Sequence, residues 1–265
     1  MDRRTFLKIG GGLIAGGVIG PLPQLVAALQ AKESKASAKN KWAMVIDMSK
    51  FDEDEYKRCI NACHTIHNVP KIPNPQHEIK WIWTETFEHT FSSQGDEYSL
   101  GDIKDNPFLV LCNHCRYPPC VRVCPTKATF KRDDGIVDID YHRCIGCRFC
   151  MAACPFGARS FNWIEPRPFI KALNKKFPTR TKGVVEKCNF CIERLSDGLL
   201  PACVEVSNGA LVFGDINDSN SKVREILRKN FCIRRKPELG TYPSVYYIIG
   251  ETAQNESGIL SRIEK

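Results

Sequence analysis

The stretch from Cys144 to Pro155 reads C-I-G-C-R-F-C-M-A-A-C-P and constrains the chain more than any other. Three cysteines at C-x-x-C-x-x-C let successive backbone turns present three thiolates to one iron-sulfur cube, while the fourth, Cys154, is held by Pro155 so that it reaches a different cube. The spacing therefore calls for a second site elsewhere in the sequence.

That site lies just upstream. Cys112, Cys115, Cys120 and Cys124 follow C-x-x-C-x-x-x-x-C-x-x-x-C, and Pro125 again follows the last cysteine. A third, partial run has Cys188, Cys191 and Cys203, with an eleven-residue gap before the last. A fourth run keeps only Cys59 and Cys63. These runs resemble those of bacterial ferredoxins, in which each fourth cysteine crosses to the neighbouring cube. By that rule Cys112, Cys115 and Cys120 share a cube with Cys154, and Cys144, Cys147 and Cys150 share one with Cys124. The outer runs pair in the same way, so Cys188, Cys191 and Cys203 take Cys63. A fourth cube would use Cys59, but Phe51 stands near its missing first cysteines and Ser207 near its missing last one. Losses from two distant parts of the sequence fall on one site, so the expectation is three [4Fe-4S] clusters.

Fourteen cysteines in recurring groups make metal the expected organiser of the core, in place of much of the usual apolar packing. Zinc ribbons also use C-x-x-C pairs, but they need neither groups of four nor a following proline. The net charge of +8 comes from dispersed residues without a nucleic-acid-binding motif, which argues for a solvated basic surface and no nucleic acid.

The first residues read D-R-R-T-F-L-K, with Arg3 and Arg4 ahead of an uncharged, glycine-rich run from Ile9 to Leu29. This resembles a twin-arginine export signal over residues 1–38, and six glycines make the run a poor soluble helix. Cleavage near Ala28 or Ala38 and retention as a membrane anchor both stay open, because the run approaches the length of a bilayer span. Exported cysteine-rich chains are usually disulfide scaffolds. The twin-arginine route, however, carries proteins already folded and loaded, as cytoplasmically assembled clusters require.

Along the rest of the chain, W-A-M-V-I-D from Trp42 to Asp47 predicts a first strand. Residues 39–111 form a degraded cluster motif with an insertion, in which Val69 to Pro107 is rich in proline and aromatics, including W-I-W and F-E-H-T-F. That segment is either a partner surface or a cover over the cubes. His64 and His67 are either metal ligands or polar supports for them. The two-cluster module spans 112–165, and the sequence between Cys124 and Cys144 reads as strand, Asp-Gly turn, strand. Residues 166–215 carry the third motif, entered by a charged loop from Glu165 to Thr181 whose charges read as solvation. A small residue followed by a strand recurs after each fourth cysteine, at Ala128, Ala158 and Ala210, which marks an internal repeat. The C-terminal extension, 216–265, predicts a helix from Ser221 to Lys229 capped by Asp218 or Ser219, a strand from Val245 to Ile249, and an inert buried thiol at Cys232.

From Trp42 to about Phe213 the motifs resemble the ferredoxin subunits of the DmsB/NrfC-like polyferredoxins. C-I-N-A-C-H-T-I-H-N-V-P and V-L-C-N-H-C-R-Y-P-P-C-V-R-V-C-P-T-K-A-T-F resemble the DsrO (HmeA) type in particular. The resemblance implies an α+β fold of tandem ferredoxin-like modules with inserted loops and a C-terminal extension. It also implies an extracytoplasmic (periplasmic) electron carrier, bound to a quinone-interacting membrane subunit of the DsrP/NrfD kind and a multihaem cytochrome c of the DsrJ kind, in a complex linked to sulfite reduction. The residues agree with a carrier: every expected cube has four thiolates, and neither a nucleophile–base pair nor a nucleotide loop stands out. Lys127, Arg143, Arg148 and Lys187 are candidate cations for raising cluster potentials, or solvated surface charges. The alternatives are the electron-transfer subunit of a molybdopterin reductase and a non-redox scaffold braced by clusters.

Changing Arg3 and Arg4 together to lysine is expected to leave the loaded protein in the cytoplasm, as measured by cell fractionation. An unchanged extracytoplasmic yield would remove the export reading.

Overall fold

In the computed structural model, residues 40–95 and 106–250 are described. Arg3, Arg4 and the apolar run behind them lie outside this range. No helix among the described residues is long and apolar enough to cross a membrane.

The strand β1 (Trp42–Asp47) is buried almost throughout because it sits at the centre of a three-stranded sheet, between the strand Leu211–Asp215 and the strand Val245–Ile248. Strand alternation sends its side chains to two faces. Met44 and Ile46 enter the main core, while Ala43 and Val45 face a smaller cluster with Val223 and Ile248. The helix α1 (Glu53–Ile66) starts where Asp52 accepts from the Glu55 amide at 2.7 Å and three carboxylates fill the first turn, favourable at the positive end of the helix dipole. Cys59 and Cys63 are one turn apart on its buried face.

Next, β2 (Ile82–Glu85), α2 (Phe87–Thr90) and β3 (Phe108–Leu111) form an antiparallel pair and its linking turn, with Ile82 opposite Leu111. Trp81, Phe87, Phe91 and Phe108 are all buried here, and Phe91 packs edge-on against Tyr247 at 5.2 Å. The described part of the aromatic insertion, through residue 95, is thus packed into the core. It also shows that the expected replacement of apolar packing by metal is only half right: a conventional core of aromatic and branched side chains runs beside the cysteines.

The short helix α3 (Pro119–Arg122) precedes the predicted hairpin, β4 (Thr129–Lys131) and β5 (Val137–Ile139), with Gly135 at φ +87° in its turn. The helix α4 (Phe149–Ala152) and the pair β6 (Ser160–Phe161) with β7 (Val185–Glu186) follow, and this pair ties the second cysteine run to the third. Then come α5 (Ile192–Ser196), α6 (Ala202–Glu205), β8 (Leu211–Asp215), α7 (Lys222–Lys229) and β9 (Val245–Ile248). The cap of α7 is Ser221, whose hydroxyl accepts from the Arg224 amide at 3.3 Å. Asp218 instead closes the preceding turn by accepting from the Asn220 amide, and Ser219 is not the cap either. These elements give a mixed α+β architecture.

The loop from Glu165 to Thr181 is irregular as expected, but not all of its charge is solvated. Arg180 is buried and forms a 2.6 Å ion pair with buried Glu186, and it also donates to the carbonyls of His67 and Asn68. Glu186 in turn accepts from Trp81 Nε1 at 2.9 Å and Asn162 Nδ2 at 2.6 Å. A buried pair of this kind organises its surroundings because removing one partner strands the other charge. Arg180→Met is expected to destabilise the fold by about 3–5 kcal/mol, and adding Glu186→Gln should recover much of that loss. Thermal unfolding checks this, and a single variant as stable as the parent would contradict the network.

Candidate metal centres

The first C-x-x-C pair of each of three runs turns through a left-handed residue just before its second cysteine. His114 (φ +40°) precedes Cys115, Gly146 (φ +69°) precedes Cys147, and Phe190 (φ +57°) precedes Cys191. Such backbone is costly for His or Phe and persists only where packing over-determines it. Here His114 and Phe190 stack on one another with ring centroids 3.7 Å apart, so the first and third runs lie back to back. At Gly146 a Cβ would come within 2.3 Å of the Gly183 carbonyl oxygen, which leaves glycine as the residue that fits. A second left-handed residue follows two of the fourth cysteines at the same offset, Lys127 after Cys124 and Gly157 after Cys154. The repeat seen in the sequence is thus a repeat of backbone conformation.

The thiols gather in three sets. All fourteen cysteines are free. Burial pushes the Cys63 thiol far above its ordinary value, and Cys188, Cys191 and Cys203 push it further. Burial likewise raises Cys115, with Cys112, Cys154 and Cys120 adding to it. Cys124, Cys144, Cys147 and Cys150 line one cavity beside Gly146. Cys124 differs from the rest: burial is the largest single effect and pushes it up, yet the Thr129 amide, 3.4 Å from Sγ, and the hydroxyl and amide of Thr126 together hold it below the ordinary thiol value. The members of each expected set are therefore brought together. The sets follow in a row, since Cys150 has Cys120 as a neighbour and Cys188 has Cys112. Those of the outer set with Cys124 are the most open, whereas all four in the set with Cys63 are buried.

These residues fit a [4Fe-4S] cube. Thiols that raise one another this way ionise only around a centre of positive charge, which iron supplies. Amides aimed at sulfur, Thr129 to Cys124 and Phe190 to Cys188 at 3.4 Å, suit a thiolate that carries cluster charge.

The place of the eroded fourth set is filled otherwise. Phe51 stacks on Tyr56 at 4.7 Å, and buried Ser207 donates to the Val204 carbonyl and accepts from the Leu211 amide. Cys59 donates to the Cys203 carbonyl at 3.5 Å, and burial pushes its thiol up to about 12. Cys232 is half-buried, not buried, and its thiol is raised by that burial.

Of the two histidines, His67 is engaged through both nitrogens, Nδ1 on the Cys63 carbonyl at 2.9 Å and Nε2 on Glu193 at 2.7 Å. It stacks on Trp81 and lies within 4.8 Å of a ligand atom of Cys191 and of Glu193, but these bonds make it a support for Cys63 and Glu193. Burial holds His64 neutral, pushed down to about 4.

The four candidate cations divide. Lys127, Arg143 and Arg148 are exposed, Arg143 on Asp140 and Arg148 over the Trp163 ring. Lys187 is buried, with Nζ on the carbonyls of Val137 and Cys188. Sequence reasoning missed Arg159, which is buried and donates to Cys120 Sγ at 3.1 Å. Its signal was the odd residue in the repeat, Arg159 after Ala158 where Thr129 follows Ala128.

The family described as the 4Fe-4S dicluster domain matches residues 107–169. The iron-sulfur subunit 1 of an Hdr-like menaquinol oxidoreductase from Archaeoglobus fulgidus is 41% identical over 93% of this chain and 97% of its own length. A tetrathionate reductase subunit of Salmonella typhimurium is 35% identical over 93% and 88%. The iron-sulfur cluster-binding subunit of a menaquinone reductase from Nitratidesulfovibrio vulgaris is 36% identical over 79% and 89%.

Gly146→Ala is expected to disturb the set around Cys147, with loss of iron and a lower melting temperature. Gly198→Ala, at φ +74° in open space, should cost only the backbone term of roughly 1–3 kcal/mol. Equal iron content in the two variants would contradict the close approach at Gly183.

Proposed function

The chain belongs to the polyferredoxin family of [4Fe-4S] electron-transfer subunits, and from that premise we propose that it carries three such clusters as a relay within a membrane-bound oxidoreductase. It is an electron-transfer subunit of such a complex and has no substrate site of its own. In this reading the clusters are held by Cys112, Cys115, Cys120 and Cys154, by Cys144, Cys147, Cys150 and Cys124, and by Cys188, Cys191, Cys203 and Cys63. The observation that carries the count is the contrast between three converging thiol sets and a fourth place taken by Phe51, Tyr56 and Ser207. When bound, the cubes supply one-electron transfer. The chain's residues fix their positions in a row, keep water from the sets with Cys112 and with Cys63 more than from the set with Cys124, and donate amides to sulfur.

The proposed partners are a quinone-interacting membrane subunit and a multihaem cytochrome c, in a complex linked to sulfite or sulfur metabolism on the extracytoplasmic face of the membrane. The quinone side is supported by the menaquinol and menaquinone enzymes among the relatives. The rest follows the DsrO-type motifs and the Arg3-Arg4 start. A second reading, the electron-transfer subunit of a molybdopterin reductase, is favoured by the match to the tetrathionate reductase chain. A co-purifying molybdenum subunit would establish it.

Cys59 and Cys63 test the count because they are neighbours on one helix face with opposite roles. Cys63→Ala should convert or destroy one cube, whereas Cys59→Ala should leave every cube in place at a modest packing cost. Iron and acid-labile sulfide should each approach about twelve per chain, three cubes of four, in the parent and the Cys59 variant. A parent value near sixteen, or loss of a cluster on changing Cys59 but not Cys63, would overturn the assignment.

A further inference from the structure

The two halves of the dicluster module repeat closely: each has Cys-Pro, a left-handed residue and a buried alanine, at Cys124, Lys127 and Ala128 and at Cys154, Gly157 and Ala158. At the next position the symmetry breaks. One half has Thr129, and the other has Arg159, whose Nη1 donates to the Thr129 hydroxyl at 3.1 Å. The guanidinium therefore reaches from its own half to the equivalent point of the other. On the way Nη2 donates to Cys120 Sγ at 3.1 Å, and, against the larger upward push of burial, the guanidinium lies near enough to Cys150 for its charge to pull that thiol's value down. Cys120 belongs to one thiol set and Cys150 to the other. Arg159 is only 5% exposed, so water does little to screen it.

We propose that Arg159 is a positioning residue for charge, a single fixed cation shared by two neighbouring clusters that raises the reduction potential of both. The inference rests on the cluster assignment proposed for the three thiol sets. A cube with four cysteinates is already negative, and one added electron makes it more so without taking a proton. A buried cation hydrogen-bonded to its sulfur favours that reduced form. A guanidinium stays charged whatever the pH, so the effect is permanent, and its planar fork can serve two acceptors at once. Lys187 is also buried close to a thiol set, but two of its three donors go to the carbonyls of Val137 and Cys188, and no hydrogen bond from it reaches a thiol among the described residues.

The test uses the cluster-loaded full chain, handled anaerobically and titrated with dithionite and redox mediators under EPR. Arg159→Gln is expected to shift the midpoint potentials of two clusters to more negative values and leave the third in place, by the same amount at pH 6 and at pH 9. Arg143→Gln, which removes an exposed and ion-paired charge, should shift none. Arg159→Lys keeps the charge but loses the fork, and should shift the same two potentials by less. Should the Gln protein fail to load, Arg159→Met, which also removes the charge but keeps much of the volume, decides, and unmoved potentials there would overturn the proposal. So would a Gln protein with its full iron whose potentials match the parent, or in which only one cluster moves. A parent protein lacking iron and sulfide near the expected complement would instead sink the cluster assignment itself.

Discussion

Burying four thiolates around one point is tolerable only if positive charge sits among them, and most of this structure follows from that electrostatic requirement. In bulk water the repulsion would be mild, but in a packed interior it grows several-fold. Burial and neighbouring thiols push Cys63 and Cys203 far above the ordinary value, as a site shaped for a cationic guest would. In the proposed assignment iron would meet the requirement inside each set, and amides and Arg159 would meet the remainder from outside.

The scaffold serves the same end. Left-handed turns before Cys115, Cys147 and Cys191 aim thiols inward, and the stacked rings of His114 and Phe190 hold two of those turns against each other. β3 delivers Cys112, α1 delivers Cys63, and the β6–β7 pair joins the second run to the third. Behind them, the aromatic cluster of Trp81, Phe91 and Tyr247 and the Arg180–Glu186 pair provide the rigidity that the thiol loops lack. In the proposed relay, the row of sets would offer an electron entering at one end an acceptor at each step.

The cysteine runs were legible because their spacing is local and each run carries its own turn. β1 and the hairpin of β4 and β5 were legible for the same reason, since alternation and an Asp-Gly turn act over a few residues. What could not be read depends on contacts between distant segments. Whether Val69 to Pro107 covers the core or faces a partner turns on its packing against β3 and β9, which no periodicity records. Arg180 looked solvated because its loop is basic, and only its meeting with Glu186 makes it structural. The cap of α7 went to Ser221 because Asp218 was already used in the turn before it. Arg159 was visible as a break in the repeat, but its meaning lies in the 3.1 Å approach to a cysteine thirty-nine positions away.

The central claim is that three thiol sets hold three redox-active cubes in one relay. Spin quantitation by EPR of the anaerobically purified chain after full reduction tests it most directly. The expected result is a spectrum broadened by coupling between neighbouring clusters, integrating to about three spins per chain. Two or four spins, or isolated signals without coupling, would contradict it.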